Sequence, residues 1–252
     1  MKIDSKELVD FIDKVTLKET IGGGTIFITK NKIYSCLKNG SAIMTIGELK
    51  IKGTEEFNLH IKDTKFLSKV LNNFEGIIEI NISENKLLIF NKTGEAEITL
   101  ADSKFIENWN EEGLPNTLSW DKSIKISSDI FIKASENYKL IGEGTVFLRI
   151  KNKILSLSVG EDQFDHLLVK TPVNIKEEIS CEFGKIFFDI FNPQVLEGNF
   201  ELFLRKSDYP IKIVKNTEKT NFTFLIAPMV EGENEEENKI EETENENVEK
   251  EE

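Results

Sequence analysis

The chain repeats itself. Ile21-Gly22-Gly23-Gly24-Thr25-Ile26-Phe27-Ile28 returns 120 residues later as Ile141-Gly142-Glu143-Gly144-Thr145-Val146-Phe147-Leu148. After one inserted residue, Asn31-Lys32-Ile33-Tyr34-Ser35 returns as Asn152-Lys153-Ile154-Leu155-Ser156, and Gly76–Ile82 matches Gly198–Leu204 at an offset of 122. Three matches in one order at a nearly constant offset make each half a unit built on the same plan, so the fold must be a duplicated one.

The order of predicted elements agrees. Ser5 to about Thr16 carries Leu8, Phe11, Ile12 and Val15 at helical spacing with Ser5 as the expected cap, and Ser128 to Tyr138 carries Ile130, Phe131, Ala134 and Tyr138 on one stripe. Alternating segments follow. Thr25–Thr29 and Lys32–Leu37 flank Lys30-Asn31, and Thr145–Ile150 and Lys153–Val159 flank Lys151-Asn152, which reads as one hairpin in each half. A second helix is expected over Thr64–Phe74, capped by Asp63 and burying Phe66, Leu67, Val70, Leu71 and Phe74. Its counterpart spans Gly184–Phe191 and stops at Asn192-Pro193. Strands at Ile77–Ile82, Lys86–Asn91 and Glu95–Ala101 close the first half, and Asn199–Arg205, Ile211–Lys215 and Asn221–Ala227 close the second. The fold class is therefore α+β: two similar domains, 1–101 and 117–230, each with two helices on antiparallel strands. Residues 102–116, acidic and lacking sustained periodicity but containing Phe105, Ile106, Trp109 and Leu114, form a connector that packs on the surface.

Charge needs to be placed before it is interpreted. The net −13 is concentrated at the end, where residues 231–252 hold twelve Glu and two Lys and so carry −10. That tract has no aromatic residue and is expected to be disordered, leaving only −3 on the preceding 230 residues. A nearly neutral body is compatible with one basic surface, so net charge does not exclude nucleic acid. No apolar run is long enough for a membrane helix and the N-terminus lacks a signal-type apolar core, so a soluble intracellular protein is expected. Cys36 and Cys181 lie far apart in apolar segments and read as small core residues rather than a bridge.

Catalytic and cofactor chemistry finds no support. His60 and His166 have no ligand-spaced partners, so no metal site is expected. Gly22-Gly23-Gly24-Thr25 lacks the Gly-Lys-Ser/Thr ending of a phosphate loop and reads as a helix-to-strand turn. No Gly-x-Ser-x-Gly elbow exists, and among 45 Asp and Glu residues no carboxylate pair stands out. The expectation is a protein without enzymatic activity and without a cofactor.

Two halves of this design resemble the DNA sliding clamps of the PCNA and T-even-phage type. Lys62-Asp63-Thr64-Lys65-Phe66-Leu67-Ser68-Lys69-Val70-Leu71 is similar to the second helix of a clamp's first domain, and Asp208-Tyr209-Pro210-Ile211-Lys212-Ile213 to a late strand. Phe224-Leu225-Ile226-Ala227-Pro228-Met229-Val230-Glu231 resembles the Ala-Pro ending that precedes a short acidic tail in PCNA; the tail here is much longer. The resemblance implies a DNA polymerase processivity factor: a homotrimeric, head-to-tail ring around duplex DNA, opened by an ATP-driven clamp loader and acting at sites of replication. It implies pairing of Glu95–Ala101 with the strand near Phe164–Thr171 of the next copy.

The resemblance also assigns sites. Helices lining the hole would present Lys14, Lys62, Lys65, Lys69, Lys133, Lys139 and Lys185 to DNA, although Glu7, Asp10, Asp13 and Asp189 interrupt that surface. Each lysine alone reads equally well as a solvated helix face. A pocket for a short peptide of a polymerase or other replication protein would be lined by Leu37, Met44, Leu114, Pro210, Ala227, Pro228 and Met229. The alternative is a protein-interaction scaffold of the same duplicated fold that never meets DNA; a hydrolase with unrecognised acidic catalysts is a more distant third.

Overall fold

The computed structural model describes residues 1–40, 42–53, 56–105, 118–141, 144–160 and 167–229. In the first half β1 (Lys2–Asp4), α1 (Ser5–Val15), β2 (Gly24–Ile28), β3 (Lys32–Asn39), β4 (Ile43–Lys50), β5 (Phe57–Ile61), α2 (Thr64–Leu71), β6 (Ile77–Ser83), β7 (Lys86–Phe90) and β8 (Glu95–Thr99) follow in order. In the second half come β9 (Lys122–Ser127), α3 (Asp129–Ile141), β10 (Val146–Lys151), β11 (Ile154–Val159), β12 (Leu167–Pro172), β13 (Ile179–Phe183), α4 (Phe187–Ile190), β14 (Asn199–Leu204), β15 (Ile211–Asn216) and β16 (Thr220–Ile226). The two successions are the same.

Among the described residues the strands form three antiparallel sheets. Two have four strands, β1-β6-β7-β8 and β12-β11-β10-β13; the third has eight, β5-β2-β3-β4-β16-β15-β14-β9. The large sheet crosses from one half of the chain to the other where β4 pairs with β16, from Ile43 opposite Ile226 to Leu49 opposite Thr220. α1 packs on β4 and β3, and α3 packs in the same way on β12 and β11. Strand by strand, β12 is thus the second half's β4, and β16 is its β8.

Residue chemistry sets these elements. α1 buries Leu8, Phe11, Ile12 and Val15 as the spacing predicts. Its cap is Asp4, whose carboxylate accepts from the Lys6 and Glu7 amides, and not Ser5. The Ser5 hydroxyl is buried and donates to the Phe74 carbonyl at 2.7 Å, tying α1 to the end of the α2 turn. Asp63 caps α2 as expected, accepting from the Phe66 amide at 2.8 Å. Phe66 itself is 51% exposed rather than core, because it leaves the Leu67–Leu71 stripe on the helix's outward side. The fourth helix shrinks to Phe187–Ile190, anchored by a phenyl cluster in which Phe131 stacks on Phe191 at 4.2 Å and Phe183 on Phe187 at 4.8 Å.

One part of the repeat is shifted. Ile33 is fully buried while Ile154, its match by sequence, is 42% exposed. The second hairpin turns at Asn152-Lys153, both with positive φ, so Lys151 pairs with Ile154 and is strand rather than turn. A one-residue slip exchanges the faces of a strand, so Leu155 takes the buried role of Ile33.

Close approach of α1 to the large sheet depends on Gly47 in β4. A Cβ there would meet Val15 Cγ1 at 2.2 Å and Phe11 Cε2 at 3.0 Å. Gly47→Val is therefore expected to destabilise the fold by about 1–3 kcal/mol by overpacking, read as a lower urea midpoint with an unchanged slope.

Candidate nucleic-acid interface and partner pocket

The eight-stranded sheet has a helix face and an outer face, and alternation along β3, β4 and β16 assigns side chains to each. Thr45 sends its hydroxyl to the Val15 carbonyl at 2.5 Å, and Phe222 packs on Phe11 at 6.0 Å, so these positions lie under α1. Cys36, Met44, Ile46 and Leu225 point the other way and form a separate buried cluster with Tyr34 and Trp120 against it.

On the helix face, Lys62, Lys65, Lys69, Lys133, Lys139 and Lys185 are exposed and Lys14 is half-buried. They are not equivalent. Lys65 is engaged by Glu19, whose hydrogen bond and charge raise the Lys65 pKa. Lys14 pairs with Asp10 at 2.7 Å and sits 5.6 Å over the Phe222 ring. Among the described residues, Lys62, Lys69, Lys133, Lys139 and Lys185 have no ion-pair partner. Two clefts run along this face where the halves meet. One, of about 530 Å³, gathers Lys6, Lys14, Lys18 and Lys215 with Asp10, Asp13 and Glu197. The other, of about 420 Å³, gathers Lys18, Lys139 and Lys185 with Glu136 and Asp189. Lys18 lines both, held by a turn in which Leu17, Lys18 and Glu19 all have positive φ and Leu17 is buried. Read from sequence, Lys18 counts with the lysines of the first helix; the left-handed turn that holds it lies beyond the helix repeat and leaves no mark in the spacing.

Two carboxylates temper this surface. Asp13 accepts from the Ser68 hydroxyl at 3.0 Å and Asp189 from the Thr20 hydroxyl at 3.0 Å, the latter bond joining the halves. Burial pushes both pKa values up, against the lowering effect of those hydrogen bonds. A carboxyl whose folded pKa exceeds its unfolded one costs stability when ionised, and the cost disappears as pH falls through the folded pKa. Asp189→Asn is thus expected to raise stability at neutral pH by less than about 1 kcal/mol, since the site is partly solvated. The advantage should shrink as pH falls through the raised pKa, read by urea titration at several pH values.

The outer face gathers some of the residues expected to line a pocket and not others. Leu37 is buried in the main core, because it shares the inward parity of Ile33 and Ser35; Cys36 is the outward residue. Met44 does lie in the outer cluster. The Pro210 carbonyl accepts from the Trp120 indole N–H at 2.7 Å, which brings Trp120 beside Tyr209 and places Lys212 5.4 Å over the indole. Ala227 extends the β4–β16 ladder through its amide to the Ala42 carbonyl at 2.9 Å, and Pro228 is half-buried beyond it. Met229 lies apart from the Met44 cluster: its amide donates to the Glu182 carbonyl at 2.8 Å on the edge of β13. Leu114 and His166 lie outside the described residues. Trp120 and Ile46 were not anticipated; Trp120 stands isolated between connector and strand in sequence, with nothing periodic to place it. His60, for which the sequence gives no ligand-spaced partner, lies in β5 with its Nδ1 3.0 Å from the Thr25 hydroxyl.

A duplicated α+β chain whose helices cover one side of strand-paired sheets defines the class of sliding-clamp folds. Known structures agree. Proliferating cellular nuclear antigen from Entamoeba histolytica superposes with a TM-score of 0.73 at 17% identity, covering 91% of this chain and 98% of that one. The A. fulgidus PCNA bound to the C-terminal region of FEN-1 gives 0.72 at 16% identity over 92% and 98%. The DNA polymerase III beta chain from Streptococcus pneumoniae gives 0.74 at 14% identity, covering 91% of this chain and 64% of that one. No protein-family model and no curated protein sequence matches the chain. The chain has the sliding-clamp fold.

Proposed function

We propose that this chain is a DNA polymerase processivity factor, a homotrimeric ring that encircles duplex DNA and tethers replication proteins, with clamp domains at 1–101 and 117–230 joined by the connector 102–116. The observation that carries the reading is the match between two of its edge strands, β8 and β12. The Leu100 amide donates to the Asn85 carbonyl, so along β8 the even residues bond β7 and the Glu95, Glu97 and Thr99 backbone groups face outward. The Val173 amide donates to the Lys153 carbonyl, so along β12 it is Leu168, Lys170 and Pro172 that face outward. Within the chain, β4 and β16 meet with the same parity, Ala227 donating to Ala42. Joining β8 of one copy to β12 of the next repeats that junction, sets Glu95 and Glu97 opposite Leu168 and Lys170, and makes a second eight-stranded sheet. The contact is head-to-tail, and it closes as a ring when its rotation is one third of a turn.

In such a ring the helices face the hole. Lys62, Lys69, Lys133, Lys139 and Lys185, with Lys14 and Lys65 more tightly held, supply a modest, sequence-independent attraction to phosphates, which suits a protein that must slide. The outer cluster around Met44, Ile46 and Leu225, bordered by Trp120, Pro210, Ala227 and Pro228, takes the apolar anchor of a partner peptide. The chain performs no chemistry of its own; a separate ATP-driven loader opens the ring, and the setting is the site of replication inside the cell. Sedimentation and native mass measurement should give three times the 28.8 kDa chain mass. Retention on circular but not on linear duplex then separates a clamp from a scaffold, and a species that stays monomeric at high concentration defeats the ring.

A further inference from the structure

We propose that the outer edge of β9 accepts an extended segment of a partner protein, carrying an acidic residue between two apolar ones, as an added strand of the large sheet. The proposal rests neither on the ring nor on DNA. β9 ends the eight-stranded sheet and pairs on one side with β14, from Lys122 opposite Leu204 to Ser127 opposite Asn199. The Ser128 amide donates to the Gly198 carbonyl, so the even residues of β9 bond β14, and the backbone groups of Ser123, Lys125 and Ser127 face away from the sheet. A groove of about 540 Å³ runs along 123–127 and is bounded by 171–174. The three outward rungs span roughly 13 Å at ordinary strand rise, the length of a segment of about five residues. The matching edge of the first half is shorter. β1 is only Lys2–Asp4, Met1 and Ser5 bond toward β6 through the Ile80 amide and the Gly76 carbonyl, and Asp4 caps α1.

Alternation along β9 chooses the occupant. Ile124 is buried, and Ile126 packs half-buried on the main core, as does Val173 across the groove. Residues opposite Ile124 and Ile126 on an added strand point the same way, toward that apolar seam. Ser123 and Lys125 are exposed on the other face. The residue opposite Lys125 therefore meets an ammonium group. Among the described residues Lys125 makes no ion pair, even with Glu201, its cross-strand neighbour on β14. An acid on the added strand sits on the far side of Lys125 from Glu201, so the three form one cross-strand row with the cation in the middle. A second copy of the chain is a poor occupant. Pairing β9 with β9 so that all three rungs are used sets Lys125 against Lys125, and like charges directly opposite are destabilising. The lysine thus guards the edge against self-association and selects an acidic partner.

Hydrogen–deuterium exchange of the full chain, read at single residues by mass spectrometry, tests this with the fluorescent peptide Ser-Thr-Val-Glu-Val-Thr-Ser as probe. In the free chain the Ser123, Lys125 and Ser127 amides should exchange as fast as those of exposed loops, and the peptide should slow these three. Its affinity, read by anisotropy, should fall at least about threefold when its Glu is replaced by Lys, and Lys125→Glu should invert that preference. Lys125→Pro removes an outward donor and no hydrogen bond of the monomer, so the urea midpoint should hold while peptide binding weakens roughly tenfold or more. Amides already slow in the free chain would mean that a second copy or another segment of the chain covers the edge. That result, protection by the peptide at β8 or β12 instead, no binding at millimolar peptide, or equal binding to the Lys125→Pro chain each overturns the proposal. A chain that stays monomeric yet binds the peptide at β9 removes the ring reading alone.

Discussion

Glu97→Pro should turn the ring into monomers while leaving the monomer folded. Glu97 sits mid-strand on β8, and its N–H points away from β7 because the neighbouring rungs, Leu87 with Ile98 and Ile89 with Ala96, carry the internal bonds. Proline therefore removes no hydrogen bond of the monomer, which is the one position in a strand where it is tolerated. The chain already uses the device, for Pro172 occupies an outward-facing position on β12. In the ring, the same substitution removes an inter-subunit donor, leaves an acceptor of the neighbour unpaired and sets the pyrrolidine ring against its backbone. An unpaired buried group costs about 1–3 kcal/mol, so each interface should weaken roughly 5- to 150-fold. Sedimentation at fixed concentration reads the change, and the urea midpoint of the monomer checks the fold. Glu97→Gln separates the backbone effect from loss of the Lys86–Glu97 ion pair, which is exposed and contributes little. A Glu97→Pro protein that sediments as a trimer shows that β8 is not the interface strand.

The parts of this molecule legible in sequence are those that local periodicity or a local cap decides. α1 and α2 follow from their apolar stripes, the Asp63 cap from its place before Thr64, and six closing strands from alternation. What escaped depends on partners distant in the chain. Nothing near Met44 announces that β4 will pair with β16, so the joining of the halves into one sheet had to come from the structure. The parity error at Ile154 arose because similar letters, Asn-Lys-Ile, straddle turns of different shape: Asn152 and Lys153 take positive φ, whereas Lys30 and Asn31 do not. The resemblance placed Leu37 in the pocket, but in β3 a single step separates the core face, where Leu37 lies, from the outer cluster. The expected lysines were found on the helix face, but the pairing of Lys65 with Glu19 required a left-handed turn that no composition argument foresees.

That pairing decides how the DNA reading is best tested. Lys69, Lys133 and Lys139 lie on α2 and α3, are exposed, and have no ion-pair partner among the described residues, so changing them to Glu breaks no described ion pair. Lys65 is a poorer probe, because Lys65→Glu would also set a carboxylate against Glu19. With three attractive charges per subunit replaced by repulsive ones around a closed hole, affinity for a short fluorescent duplex should fall at least tenfold near physiological salt. For the unaltered ring the logarithm of affinity should decline with the logarithm of salt, by roughly 0.9 for each phosphate neutralised; in the variant that slope should flatten toward zero. Ring mass should not change, since none of the three lies on β8 or β12. A control with Lys30, Lys92 and Lys206 reversed carries the same change in net charge outside the helices, and it should lose little. Equal losses in both variants would mean that net charge, not a helix-lined hole, governs the attraction. Unchanged binding in the helix variant would mean that DNA does not pass along these helices at all.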